Sequence, residues 1–230
     1  MSSISLSLRL RAAVNRLRRR LWRALFFRTL FGEVQQGRAL PLTRISPSAC
    51  IEHEDRLVLE DDVFIGHLNF IEASSGIRIG RGTQVTNFIS IVSHSTHRSV
   101  RVAARLSGVP EAAADGSLPS DIRAPIDIGA HCFIGPHSVI EAGTRLGKGC
   151  LVAAGSRVRG EFGDFAVLAG NPAQLVGDTR TQDARWLAEH PEYRAAYASW
   201  AGQLPTASAR TCRGSASSPV TDKVHSPPHD

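Results

Sequence analysis

Ile128, Ile134, Ile140, Leu146, Val152 and Val158 are branched aliphatic residues spaced six apart. The residue after each of the first five is Gly129, Gly135, Glu141, Gly147 or Ala153, and four positions after each comes a small residue, Cys132, Ser138, Thr144, Cys150 or Ser156. A helix returns its apolar residues every three or four positions and a pleated strand every second one, so a period of six fits neither. It fits a short strand and a turn, three such units closing one triangular coil in which equivalent aliphatics stack in interior columns. The small residues then fill what remains of a narrow core. The same spacing appears earlier at Leu59, Ile65 and Ile71 and, after a two-residue insertion around Ser74 to Gly76, at Ile79, Val85 and Ile91. Six units before residue 92 and six after 127 make about four coils.

This pattern resembles the hexapeptide-repeat proteins, mostly acyltransferases. The resemblance implies an all-β solenoid, a left-handed parallel β-helix, here extended by an N-terminal amphipathic helix and a C-terminal helical segment. It covers Leu57 to Val176, and its most specific parts are the repeats from Ile128 to Val158, the Ala154-Gly155-Ser156 step and the Gly170-Asn171-Pro172-Ala173 ending.

The domain plan follows from where the period holds: a basic helix over 1–31, a lead-in over 32–56, the solenoid over 57–176 with a protruding loop at 93–125, a helical segment over 177–204 and a disordered tail over 205–230. The tail is rich in Ser, Thr, Pro and Ala, a composition that buries little apolar surface. Aromatic residues are only 6 % of the chain, which suits short stacked strands. The net charge of +6 misleads as an average, because Met1 to Phe31 holds eight arginines and no acid while the rest has 19 bases against 21 acids. With the charge confined to one arm, nucleic acid is not expected as a partner. Cys50, Cys132, Cys150 and Cys212 show no metal-site spacing. Two of them occupy the small core position, so they read as free thiols in a reducing, cytoplasmic compartment, and no metal is expected.

Ser5 to Phe31 places Leu6, Leu10, Val14, Leu17, Leu21 and Leu25 on one helical face, with Trp22, Phe26 and Phe27 widening it and arginines over the remainder. The arginines interrupt every apolar run, so nothing approaches the roughly 20 residues of a spanning helix. An anionic membrane surface on the inner face of the membrane and a cap over the solenoid end both fit this helix, and an organellar presequence has similar chemistry.

The chemistry-bearing stretch is Ser93-His94-Ser95-Thr96-His97-Arg98, where the chain leaves the repeat. Among hexapeptide acyltransferases a histidine at the start of the protruding loop is the general base, so the resemblance points to His94, with His97 as the alternative. Histidine suits the task because its pKa lies near neutrality. The branch most similar is the one acetylating sugars and surface polysaccharides, together with the maltose, galactoside and xenobiotic acetyltransferases. That implies an acetyl-CoA-dependent O-acetyltransferase working as a homotrimer on a sugar or polysaccharide precursor. Carried over position by position, CoA contacts fall on Phe133, Ala154, Gly155, Ser156, Arg159, Asn171 and Pro172. Where many relatives have Trp this chain has Phe133, and where many have Thr-Lys-Asp it has Arg159-Gly160-Glu161, so Arg157 or Arg159 is left to meet the CoA phosphates.

Two other classes share the fold. A γ-type carbonic anhydrase would need three histidines, here His94, His131 and His137, converging on zinc at about 2.0–2.1 Å. His131 and His137 are six apart and therefore face different sides of the triangle, which argues against their meeting within one subunit. A non-catalytic scaffold held at a membrane by the basic helix is the third reading.

Overall fold

The structure, a computed structural model, describes residues 5–102 and 118–204. The disordered tail expected over 205–230 and the middle of the 93–125 loop lie outside the described residues.

The six-residue units fold as a parallel β-helix with three flat faces. The first face stacks Arg44–Ile45, Phe64–Ile65, Gln84–Val85, Phe133–Ile134, Leu151–Val152 and Ala166–Gly170 in parallel register. The second stacks Cys50–Glu52, Phe70–Glu72, Ser90–Val92, Val139–Glu141 and Arg157–Val158. The third stacks Leu57–Leu59, Ile77–Ile79, Ile126–Ile128, Arg145–Leu146 and Glu161–Phe162. The aliphatics that define the period pair with one another across coils: Ile71, Ile91, Ile140 and Val158 form one column with no exposed surface.

Parallel pairing begins at Arg44, so the first strands of the solenoid lie inside the segment 32–56 that the period alone assigns to a lead-in. Ile45 and Ile51 keep the six-residue step, but the turn Glu54–Arg56 then adds two residues before Leu59 and hides the continuity. Ahead of them Glu33–Gln35 and Arg38–Leu40 form an antiparallel hairpin.

The residue after each aliphatic is glycine where neighbouring coils touch. A Cβ on Gly135 would stand 2.6 Å from the Ala154 nitrogen and 2.7 Å from the Val152 oxygen, too close for any side chain. The small column does more than fill space. Thr83 Oγ1 donates to the Gly129 carbonyl at 2.8 Å, Ser138 Oγ to that of Ala153 at 3.1 Å and Thr144 Oγ1 to that of Val158 at 3.1 Å, each linking one coil to the next. These bonds satisfy hydroxyls that would otherwise be costly to bury.

Helix α1 (Leu6–Phe26) is capped by Ser5, whose Oγ accepts from the Leu8 N–H at 3.4 Å. None of its residues is buried, so it does not cap the solenoid. A four-residue helix, α2 (Ser99–Val102), follows the site loop's entry. At the far end α3 (Thr179–Glu189) and α4 (Arg194–Ala201) lie against the last coils, where the Trp200 ring stacks on His131 at 4.2 Å and Lys148 Nζ donates to the Trp200 carbonyl at 3.0 Å.

Candidate active site

One corner of the triangle, between the second and third faces, takes every insertion into the early coils: Glu54–Arg56, Ser74 to Gly76 and the long excursion after Val92. From Ser90–Val92 the chain runs into a short strand, His94–Ser95, paired antiparallel with the returning Ile122–Arg123. His94 is thus held between a solenoid strand and a two-stranded rib, a firmer mount than a free loop.

Coil length decides what lies next to it. Ile71 and Ile91 are register partners, so Glu72 sits one coil away beneath Val92, and Ser74 meets His94. The Glu72 carboxylate is 3 % exposed. Its Oε1 accepts from the Ser74 backbone N–H at 2.7 Å, and its Oε2 accepts from Ser93 Oγ at 3.1 Å and faces His94 Nδ1 at 2.8 Å. Ser93 Oγ in turn accepts from the Ser75 N–H at 2.9 Å. Burial works against the charged carboxylate, but hydrogen bonds from Ser74 and His94 outweigh it and hold Glu72 at about 2. An ionised carboxylate can only accept, so His94 Nδ1 carries the proton, and in the neutral imidazole the lone pair is on Nε2. That is the tautomer a general base needs.

The His94 ring, one-third exposed, opens onto a cavity of about 260 Å³ that His97, Glu141, Arg157 and Arg159 also line. His97 is exposed, and among the described residues its Nδ1 meets Ser95 Oγ, at 2.8 Å. Among the described residues, His94 is the loop histidine with a buried carboxylate fixing its ring.

Residues 125–160 match the family described as bacterial transferase hexapeptide, six repeats. The later coils of the solenoid carry this hexapeptide repeat. Over 148 residues the chain is 26 % identical to the probable acetyltransferase Rv3034c of Mycobacterium tuberculosis, covering 64 % of this chain and 45 % of that protein. Over 134 residues it is 25 % identical to WbbJ of Escherichia coli K12, whose name assigns it O-acetyl transfer in lipopolysaccharide biosynthesis, covering 56 % of this chain and 64 % of that one. The chain therefore spans about half to two-thirds of the length of these curated relatives. Among solved structures, a galactoside acetyltransferase in complex with coenzyme A aligns with a TM-score of 0.50 at 19 % identity, over 61 % of this chain and 63 % of that chain, a likeness of fold. The hexapeptide-repeat resemblance read from the spacing is borne out.

Within this hexapeptide solenoid the residues expected to meet CoA fall into separate groups. Ala154 and Gly155 are exposed at the corner between the first and second faces, and the exposed Asn171-Pro172 pair forms the tip of the hairpin between Ala166–Gly170 and Ala173–Asp178. The Gly170 N–H donates to Ser156 Oγ at 3.2 Å, which fastens that hairpin to the corner. Ser156 is itself 1 % exposed and faces inward, so its hydroxyl is a link between coils and not part of an outer surface. Phe133 stands on the first face, 42 % exposed. Arg159 is with none of these, because the strand Arg157–Val158 carries it to the opposite corner and into the His94 cavity.

His131 and His137 occupy different corners, each with a left-handed backbone, φ 56° and 60°. His131 stacks on Trp200 and His137 on Phe88. Among the described residues no three His, Cys, Asp or Glu side chains converge as metal ligands.

Glu72 and Ser74 are the site residues that the spacing alone does not reveal. The signal was present as a coil length: Ile45, Ile65 and Val85 are twenty apart and register partners, and the same step carries Ser74 to His94.

Proposed function

We propose that the protein is an acetyl-CoA-dependent O-acetyltransferase acting on a sugar hydroxyl, with His94 as general base. The observation that carries this reading is the buried Glu72 carboxylate on His94 Nδ1, which leaves Nε2 of the neutral ring as the proton acceptor of a histidine that lines an open cavity. Bound acetyl-CoA supplies an acyl thioester. His94 Nε2 takes the proton from the acceptor hydroxyl as the oxygen attacks, and returns it to the departing thiolate, so the ring ends as it began. Glu72 stabilises the imidazolium in between, and positioning of both substrates supplies the rest of the rate.

The residues present fit a CoA arm. Ala154 and Gly155 leave backbone uncovered beside the Asn171-Pro172 tip, and a Cβ placed on Gly155 would meet nothing within 4 Å. The acetyltransferase names of the two relatives support the same class, and the O-acetyl transfer named for WbbJ supports a hydroxyl acceptor.

Helix α1 adds an address. Leu10, Leu17, Leu21, Trp22 and Leu25 are all more than half exposed beside a face of arginines, which suits an anionic lipid surface and brings the enzyme to a lipid-linked acceptor. No helix among the described residues is long and apolar enough to cross a membrane.

The test is a calorimetric titration of the protein with acetyl-CoA and with free CoA, beside His94→Ala. Micromolar binding by both proteins is the expected result. No binding by either would remove the acetyltransferase reading and favour a scaffold.

A further inference from the structure

The cavity beside His94 holds a cation that proton transfer does not use. Arg157 Nη1 lies 3.3 Å from Glu141 Oε1, so these two neutralise each other on the cavity wall. Glu72 is buried behind His94 with both oxygens engaged. Arg159 remains: it is exposed, it lines the same cavity, and among the described residues no carboxylate stands within ion-pair distance of it. It follows directly on the strand Arg157–Val158, so the solenoid fixes where its backbone sits.

A guanidinium in this place has three possible partners: the CoA phosphates, the oxyanion formed at the acyl carbon, or a charged group on the acceptor. The first fits poorly. Gly155, on the corner that the CoA reading uses, sits in a turn with φ 71°, and the strand Arg157–Val158 leads away from it to Arg159 at the next corner, at most about 13 Å off at the rise of a β-strand. The thioester has to reach His94, and the phosphates of CoA lie at the other end of the pantetheine arm from the thioester. Arg159 therefore stands at the reacting end. An arginine stays charged at any working pH, and its planar fork matches a carboxylate or phosphate with two parallel hydrogen bonds.

We propose that Arg159 is a specificity-determining residue that binds an ionised group on the acceptor, so the substrate class is an acidic sugar, carrying a carboxylate or a phosphate near the hydroxyl that is acetylated. This rests on the His94 cavity being the transfer site.

The experiment measures thiol release from acetyl-CoA by the wild type, Arg159→Gln and Arg159→Lys with three acceptors: methyl glucoside, methyl glucuronide and glucose 6-phosphate. The expected result is a wild-type kcat/KM at least about tenfold higher for a charged acceptor, the size of one charge-assisted hydrogen bond. Whether the glucuronide or the phosphate is preferred tells the carboxylate from the phosphate. Arg159→Gln should raise the KM for that acceptor by a similar factor and leave the KM for acetyl-CoA where it was, and Arg159→Lys should recover part of the loss. Four outcomes overturn the proposal: a raised KM for acetyl-CoA, a kcat lowered equally for all acceptors, no preference in the wild type, or no transfer to either charged sugar. Calorimetry with CoA separates the two levels. If the wild type binds CoA, any of these outcomes removes only the acidic acceptor, whereas absent CoA binding removes the acetyltransferase reading itself.

Discussion

Glu72 Oε2 and His94 Nδ1 lie 2.8 Å apart although 22 residues separate them in the chain. The contact exists because Ile71 and Ile91 stack in register and deliver the residues that follow them to the same corner. Glu72→Gln keeps the shape but replaces an obligatory acceptor with an amide that presents either a donor or an acceptor to Nδ1, and it no longer stabilises the imidazolium. We expect kcat to fall by at least about tenfold, with KM for acetyl-CoA little changed. Steady-state kinetics of the purified variant checks this, and a kcat equal to that of the wild type would show that Glu72 only fills the corner.

The same carboxylate makes stability depend on acid. Folded Glu72 titrates at about 2, below the roughly 4.3 of an unfolded glutamate. Between those values the unfolded chain holds a proton that the folded chain does not. The contribution of Glu72 is therefore complete above about pH 5 and is lost as pH falls toward 2. Melting temperature against pH should drop more shallowly over that range in Glu72→Gln than in the wild type. Parallel curves would contradict the assignment.

Packing between coils sets a different limit. Ile140 is fully buried in the column between Ile91 and Val158, and its truncation to Ala should cost about 2–5 kcal/mol of stability. Gly135→Ala should also lower the melting temperature, since its Cβ would strike the backbone of the next coil, whereas Gly163→Ala meets nothing within 4 Å and should be tolerated. Thermal unfolding of the three variants is the comparison, and equal effects at Gly135 and Gly163 would contradict the close-packed register.

For α1, the expected partner is an anionic bilayer. Sedimentation with phosphatidylglycerol vesicles should pull the protein down at low salt and progressively less as salt rises. The double variant Leu17→Glu with Leu21→Glu, both residues more than half exposed, should stay in the supernatant without loss of thermal stability. Binding that survives the double variant would rule out insertion of the apolar face.

The period of six was legible because each aliphatic, glycine and small residue answers a separate steric demand of the coil, as Ile140, Gly135 and Ser138 show. The solenoid's start was not, because Ile45 and Ile51 supply only two steps before the turn at Glu54–Arg56. His94 could be singled out by its place at the exit of the repeat. Its partner could not be read from any local motif, since Glu72 reaches it only through the length of a whole coil. Ser156 and Arg159 show the remaining limit. The family resemblance assigns both to CoA contacts, but the facing of a side chain and the far end of a strand decide that one is buried and the other lines the His94 cavity.

The most direct test of His94 is the rate of thiol release from acetyl-CoA in the presence of a panel of neutral and acidic sugars, for the wild type and for His94→Ala at matched CoA occupancy. The account predicts acceptor-dependent release by the wild type and a loss of at least about a hundredfold in the variant, with CoA binding retained. A variant that still transfers at the wild-type rate would contradict it.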